Sequence, residues 1–342
     1  MKLVVLYTPA PRGAPPEEVD GVVQMEAISK TLQSLGHETE PVPCGLDLSK
    51  LQETLTYIRP ECVFNIVESI AGHDRLLYLA PALLEAMAIP FTGAGVNAMM
   101  LSTGKLVAKR ILRGAGLPTP DWVDSSSYGP SHLQRGDTVI FKSAWDHGSP
   151  LLFDENIKTV DDPQTFKELI YARVQKPGQE WFAERYVDGR EFNITMLASP
   201  NGPQVLPAAE ILFLDYQKGK PKVVGYSAKW TEKSFEYTHT PRTFDFPKED
   251  ARIIEKVTEM AQTCWKLFGL AGYARVDFRV DAKGNPWILE VNANPCISPD
   301  AGFAAALNRA GITYAQAIER IVNDAMGWGR QSPKKKNRAS KK

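Results

Sequence analysis

The chain has 342 residues, room for two or three domains around a cleft, and its 43% hydrophobic and 23% charged residues exclude a disordered, collagenous or coiled-coil chain. Forty basic and forty acidic groups cancel, yet Lys334, Lys335, Lys336, Arg338, Lys341 and Lys342 all lie in the last twelve residues, which hold no acid. Residues 1–330 are therefore acidic by about six charges, with no strong nucleic-acid signal. The longest apolar runs, such as Leu3–Leu6, fall far short of the ~20 residues that cross a bilayer, so a cytoplasmic protein with no membrane partner is expected. Cys44, Cys62, Cys264 and Cys296 are scattered, with no CxxC or Cys/His ligand spacing, and read as ordinary reduced cysteines.

In chain order, Leu3–Tyr7 is an apolar strand that runs into a Pro/Gly-rich loop. Apolar positions at three- and four-residue steps from Val19 to Leu35, stopped by Gly36, predict a helix. A helical stretch at Leu48–Ile58 and a strand at Cys62–Val67 complete a parallel α/β unit, whose loops Thr8–Asp20 and Glu68–Arg75 should face a cleft beyond the strand ends. From Thr92 onward a second unit is expected, with a helix at Gly104–Gly114 and a strand at Thr138–Lys142. Trp181–Tyr186 and Phe192–Leu197, joined by Val187-Asp-Gly-Arg190, give a hairpin signal, as do Tyr273–Val280 and Trp287–Val291 around Asp281-Ala-Lys-Gly-Asn285. Helices are predicted at Ala251–Leu267 and Tyr314–Met326. The divisions are 1–91, 92–180 and 181–330, followed by a disordered basic tail at 331–342.

No HExxH or GxSxG motif is present, and Met99 stands where a P-loop before Gly104-Lys105 needs glycine. Gly93-Ala-Gly95 reads as a turn. The informative segments are Arg275-Val-Asp277 and Glu290-Val-Asn292. Residues two apart share a strand face, so three hard oxygen donors and one cation converge, a set suited to Mg²⁺ (or Mn²⁺).

This pair of strands resembles the metal-binding hairpin of the ATP-grasp ligases, in particular the D-alanine–D-alanine ligase branch. The resemblance extends over most of the chain through Pro90-Phe-Thr-Gly-Ala-Gly95, Ser102-Thr-Gly-Lys105, Val139-Ile-Phe-Lys142, Glu184-Arg-Tyr-Val187, Gly189-Arg-Glu191-Phe and Ala228-Lys229-Trp. It implies a Rossmann-like N-terminal domain followed by a two-lobed ATP-grasp fold, of class α/β and α+β, with 92–180 and 181–330 as the central and C-terminal lobes. It also implies an ATP-dependent ligase that forms an amide or peptide bond through an acyl phosphate. Lys105, Lys142 and Lys229 would hold phosphates, with Ser149 in the loop that covers them. Glu184 and Val187 would meet adenine and Glu191 the ribose. Asp277, Glu290 and Asn292 would bind Mg²⁺, and Arg275 the substrate carboxylate.

The sequence departs from the family where amino acids bind. The glycine- and serine-rich flap is replaced by Ser143-Ala-Trp-Asp-His-Gly-Ser149, in which Trp145 and His147 are candidates for a substrate wall. Glu18 is the nearest match to the acid that meets an amino group, Glu68 stands in place of a histidine, and Asp300 follows the metal strand. A pocket with these acids should prefer a small amino acid or amine bearing a free ammonium and use D-alanine poorly. Two alternatives stay open at this point: a ligase for a larger peptide or protein acceptor, and a silent nucleotide-binding scaffold. A homodimer is compatible with either.

Overall fold

The computed structural model describes residues 1–125, 133–146, 148, 152–161, 165–174 and 179–328. The basic tail, His147 and Ser149 lie outside the described residues. The chain opens with β1 (Lys2–Tyr7), α1 (Pro16–Ser34), β2 (Glu38–Pro43), α2 (Leu48–Ile58), β3 (Cys62–Ile66) and α3 (Leu79–Ala86). β1 runs between β2 and β3 and parallel to both. Its side chains alternate between two cores: Leu3 and Val5 pack with Met25, Ile28 and Leu32 of α1, and Val4 and Leu6 with Leu51 and Leu55 of α2. This is the expected parallel unit. β2 escapes the sequence pattern because it is a polar edge strand with two prolines and one buried side chain, Val42, which an edge position tolerates.

After α4 (Val96–Thr103) and α5 (Lys105–Gly114) come β4 (Trp122–Asp124), β5 (Thr138–Ser143), β6 (Ile157–Thr159), α6 (Phe166–Tyr171) and β7 (Trp181–Arg185). The four strands form an antiparallel sheet in the order β4-β7-β5-β6. The remaining elements are β8 (Arg190–Leu197), β9 (Gln204–Val205), β10 (Ala209–Ile211), α7 (Tyr226–Trp230), α8 (Phe235–His239), β11 (Arg242–Thr243), α9 (Ala251–Phe268), β12 (Tyr273–Val280), β13 (Pro286–Asn292), α10 (Gly302–Arg309) and α11 (Tyr314–Asn323). Their sheet runs β11-β10-β8-β12-β13, with β9 beside β8. One face buries Ile194, Val276 and Phe278 against Val257, Ala261 and Cys264 of α9 and against Ala98 and Leu112 of α4 and α5. The opposite face is polar and builds the site.

One expected hairpin is overturned. β7 pairs with β4 and β5, whereas β8 pairs with β9, β10 and β12, so Val187–Gly189 carries the chain from one sheet to the other. A Cβ on Gly189 (φ +150°) would lie 2.0 Å from the Val280 carbonyl oxygen, so only glycine lets the crossing pass there. The break between sheets therefore follows β7, after the division drawn at residue 181, and α4 and α5 pack on β13 of the larger sheet. Among the described residues no helix is long and apolar enough to cross a membrane.

Candidate active site

β12 and β13 bring four polar side chains into register: Arg275 stands opposite Asn292, and Asp277 opposite Glu290. A bulge after Asp277 inserts Leu289 without disturbing these pairs. The Asp277 carboxylate is fully engaged. Its Oδ1 accepts from Arg275 Nε (2.7 Å) and Asn193 Nδ2 (2.8 Å), and its Oδ2 from Arg275 Nη2 (2.9 Å) and Asn292 Nδ2 (3.0 Å). Glu290 Oε1 lies 3.2 Å from Lys105 Nζ, the first residue of α5. Two carboxylates and an amide on one face form a hard-oxygen set that fits Mg²⁺, which keeps several waters of its own. Among the described residues no group of three or more His, Cys, Asp or Glu side chains could hold a metal, so this set depends on its amide.

Cations surround the acids. Lys229 of α7 feels Glu290, Asp277 and Glu191, but burial first and then Arg275 lower its pKa below the usual lysine range. Lys142 of β5 donates to Glu184 of β7 across the small sheet. Glu184 is 1% exposed, and its other oxygen lies 2.7 Å from Lys109 Nζ. The resemblance gives Glu184 and Val187 to adenine, partly through backbone groups; the Glu184 side chain itself turns inward as the shared counter-ion of two lysines.

The crossing between the sheets is clamped from β12. Arg279 donates through Nε to the Val187 carbonyl (3.0 Å), through Nη2 to the Gly189 carbonyl (3.0 Å) and through Nη1 to Glu191 Oε2 (3.3 Å). Burial pushes the Glu191 carboxyl upward, and Arg279 opposes it. Glu191 and Asn193 of β8 share the face of Arg279 and Asp277, so the proposed ribose and metal residues lie side by side.

The expected cleft loops do meet, through Thr8, whose Oγ1 accepts from the Glu68 and Ser69 amides (3.0 and 3.1 Å). Glu18 is exposed on α1, and Asp300 is exposed in the loop before α10. Asp20 and Gln24, one helical turn apart on α1, meet the loop after β13. Ser298 Oγ donates to Asp20 Oδ1 (3.1 Å), and Ile297 N donates to Gln24 Oε1 (2.6 Å). Glu68 accepts from Gln24 Nε2 at 3.2 Å, and burial, with Asp20 nearby, raises its pKa to about 7.

Trp145 is wedged against Gly104, whose Cβ would come within 2.9 Å of the indole ring, and Arg75 stacks over it with 5.7 Å to the centroid. α7 closes on both other units: Tyr226 donates to Glu17 Oε2 (3.2 Å), and Trp230 Nε1 to the Gly148 carbonyl (3.0 Å).

A parallel α/β unit followed by two antiparallel sheets, with a polar crease between them, is the architecture of an ATP-grasp ligase. Residues 156–323 match the model of the D-ala D-ala ligase C-terminus. The chain is 31% identical over 304 residues to the D-alanine–D-alanine ligase of Methylococcus capsulatus, covering 87% of this chain and 88% of that protein. An uncharacterized protein of Sinorhizobium fredii is 26% identical over 307 residues, 88% of this chain and 86% of its own length. The D-alanine–D-alanine ligase of Bacillus anthracis, solved as a complex with ATP, shares the fold with a TM-score of 0.70 at 19% identity, covering 95% of this chain and 97% of that one. The chain belongs to the D-alanine–D-alanine ligase family.

Proposed function

We propose that the protein is an ATP-dependent ligase that converts a substrate carboxylate into an acyl phosphate and joins the acyl group to an amine. A carboxylate does not react with an amine until one of its oxygens becomes part of a leaving group, and ATP's γ-phosphate supplies that group. The observation that carries this reading is the gathering of Lys105, Lys229 and Arg275 around the Asp277–Glu290 pair at the crease between two sheets. Such a site offers cations to phosphate oxygens and acids to a metal, as phosphoryl transfer requires.

In this reading Mg²⁺ (or Mn²⁺), held by Asp277, Glu290 and Asn292, offsets phosphate charge. Lys105, Lys142 and Lys229 hold the phosphates of ATP as compact ammonium charges. Glu191 accepts from the ribose hydroxyls, and the backbone near Val187 meets adenine. Arg275 orients the carboxylate and stabilises the tetrahedral oxyanion when the amine attacks. The carbon–nitrogen bond forms, phosphate departs with the activated oxygen, and the amine loses a proton. Glu68 and Asp20 face the amino group of a small amino acid or amine substrate. The proposed compartment is the cytoplasm.

The test is turnover of ATP with magnesium against paired L- and D-amino acids and simple amines. One ADP and one phosphate per amide formed is the expected result. AMP with pyrophosphate, or no nucleotide consumption with any pair, would contradict the proposal.

A further inference from the structure

Two of the lysines proposed to hold phosphate come from different elements, Lys142 near the end of β5 and Lys105 at the start of α5, and the segment that follows Lys142 reaches across to Lys105. Lys105 donates its backbone N–H to the Ala144 carbonyl (2.9 Å) and its Nζ to the Asp146 carbonyl (2.5 Å). Its place and its aim are thus set by the residues on either side of Trp145. The indole is gripped from three directions. Its edge lies against Gly104, where a Cβ would come within 2.9 Å of Cζ3 and 3.1 Å of Cη2. Its Nε1 donates to the Glu180 carboxylate, and the Glu180 carbonyl accepts from Ala144 N (2.8 Å), so the residue before β7 holds the segment twice. The Arg75 guanidinium, from the loop after β3, lies over the ring. Beside the ring a cavity of about 180 Å³ opens between Val107, Arg110 and Glu180, so directed contacts, and not close packing on every side, fix the indole.

An ammonium on a four-carbon stem grips a phosphate well only when its reach is set by something rigid, and two such groups must also be set relative to each other. We infer that Trp145 is a positioning residue for the nucleotide: wedged between α5 and the segment leaving β5, it fixes Lys105 relative to Lys142 and so sets the spacing of two ammonium groups on the phosphates of ATP. This rests on the ligase reading and deepens it. Tryptophan suits the task because one flat ring spans the gap beside Gly104 while its N–H reaches an acceptor. Phenylalanine keeps part of the wedge and loses the hydrogen bond to Glu180, and alanine opens the gap into the neighbouring cavity.

Calorimetric titration of the full chain with ATP and magnesium, and with adenosine, tests it. Trp145→Ala should weaken ATP binding about tenfold or more, the size of one lost charge-assisted hydrogen bond, with adenosine affinity within about twofold of wild type. Trp145→Phe should fall between the two and carries the test if the alanine variant does not fold. Gly104 has a φ of −75°, which any residue adopts, so Gly104→Ala probes the collision with the ring alone. It should weaken ATP binding in the wild-type background and have little further effect beside Trp145→Ala, where no ring remains to be struck. Unchanged ATP affinity in folded Trp145 variants, an equal loss for ATP and adenosine, or effects of Gly104→Ala and Trp145→Ala that simply add would overturn the inference and leave the ligase reading standing. Absence of ATP binding by the wild-type protein would overturn both.

Discussion

Lys109 and Glu184 form an ion pair in the interior, Nζ to Oε2 2.7 Å, with each side chain 1% exposed. Lys109 also donates to Thr119 Oγ1 (2.8 Å) and the Pro120 carbonyl (3.0 Å), while Glu184 holds Lys142 with its other oxygen. Burial works to raise the Glu184 carboxyl, and the two ammonium groups overcome it and hold the carboxyl below its usual range. The pair therefore sets the position of a proposed phosphate-binding lysine from beneath. Glu184→Gln would leave Lys109 buried with neutral partners, and a loss of about 3–5 kcal/mol in urea unfolding is expected. A raised KM for ATP should accompany it, because Lys142 loses its anchor. Unchanged stability and KM would show that the pair is dispensable.

Glu290→Gln removes one of two anionic donors from the proposed magnesium set while keeping its shape. Turnover should fall by on the order of 10²-fold or more, equivalent to about 3 kcal/mol of barrier, with the thermal midpoint nearly unchanged. Full activity in a folded variant would remove Glu290 from the metal site.

Glu68 predicts a pH dependence. Its folded pKa of about 7 lies above the 4.5 of a free glutamate, because burial and then Asp20 disfavour the charge and Gln24 only partly opposes them. The folded state thus holds the proton more tightly than the unfolded chain, so its contribution is fully present below pH 4.5 and is lost as pH rises towards 7. The loss is at most about 3 kcal/mol at 1.36 kcal/mol per pH unit. Glu68→Gln should flatten stability between these pH values, and a parallel slope in both proteins would contradict the assignment.

Gly189→Ala places a methyl group against the Val280 carbonyl at the crossing between the sheets. Destabilisation of more than about 2 kcal/mol is expected, since the left-handed backbone and the collision act together. Chemical denaturation measures it directly.

The β12–β13 hairpin was legible because its polar residues alternate with apolar ones on both strands, a period that only a two-faced sheet produces. The same period misled at Val187-Asp-Gly-Arg190. Two strands beside a glycine turn look like a hairpin whether they pair with each other or leave for different sheets, and pairing is decided by β5 and β12, far along the chain. Lys109 was missed because a lysine on an amphipathic helix reads as a solvated charge, and only the fold places Glu184 beneath it. Glu18 and Asp20 differ in helical phase, which turns Asp20 towards Ser298 and leaves Glu18 in water, and the sequence alone does not set that phase.

The central claim is that a substrate carboxylate, oriented by Arg275, takes up the γ-phosphate before the amine attacks. A carboxylate substrate labelled with ¹⁸O in both oxygens reads this step without reference to substrate preference. Transfer through an acyl phosphate predicts one ¹⁸O atom in each phosphate released, with ADP as the nucleotide product. Unlabelled phosphate alongside amide formation, or label recovered in AMP, would contradict it.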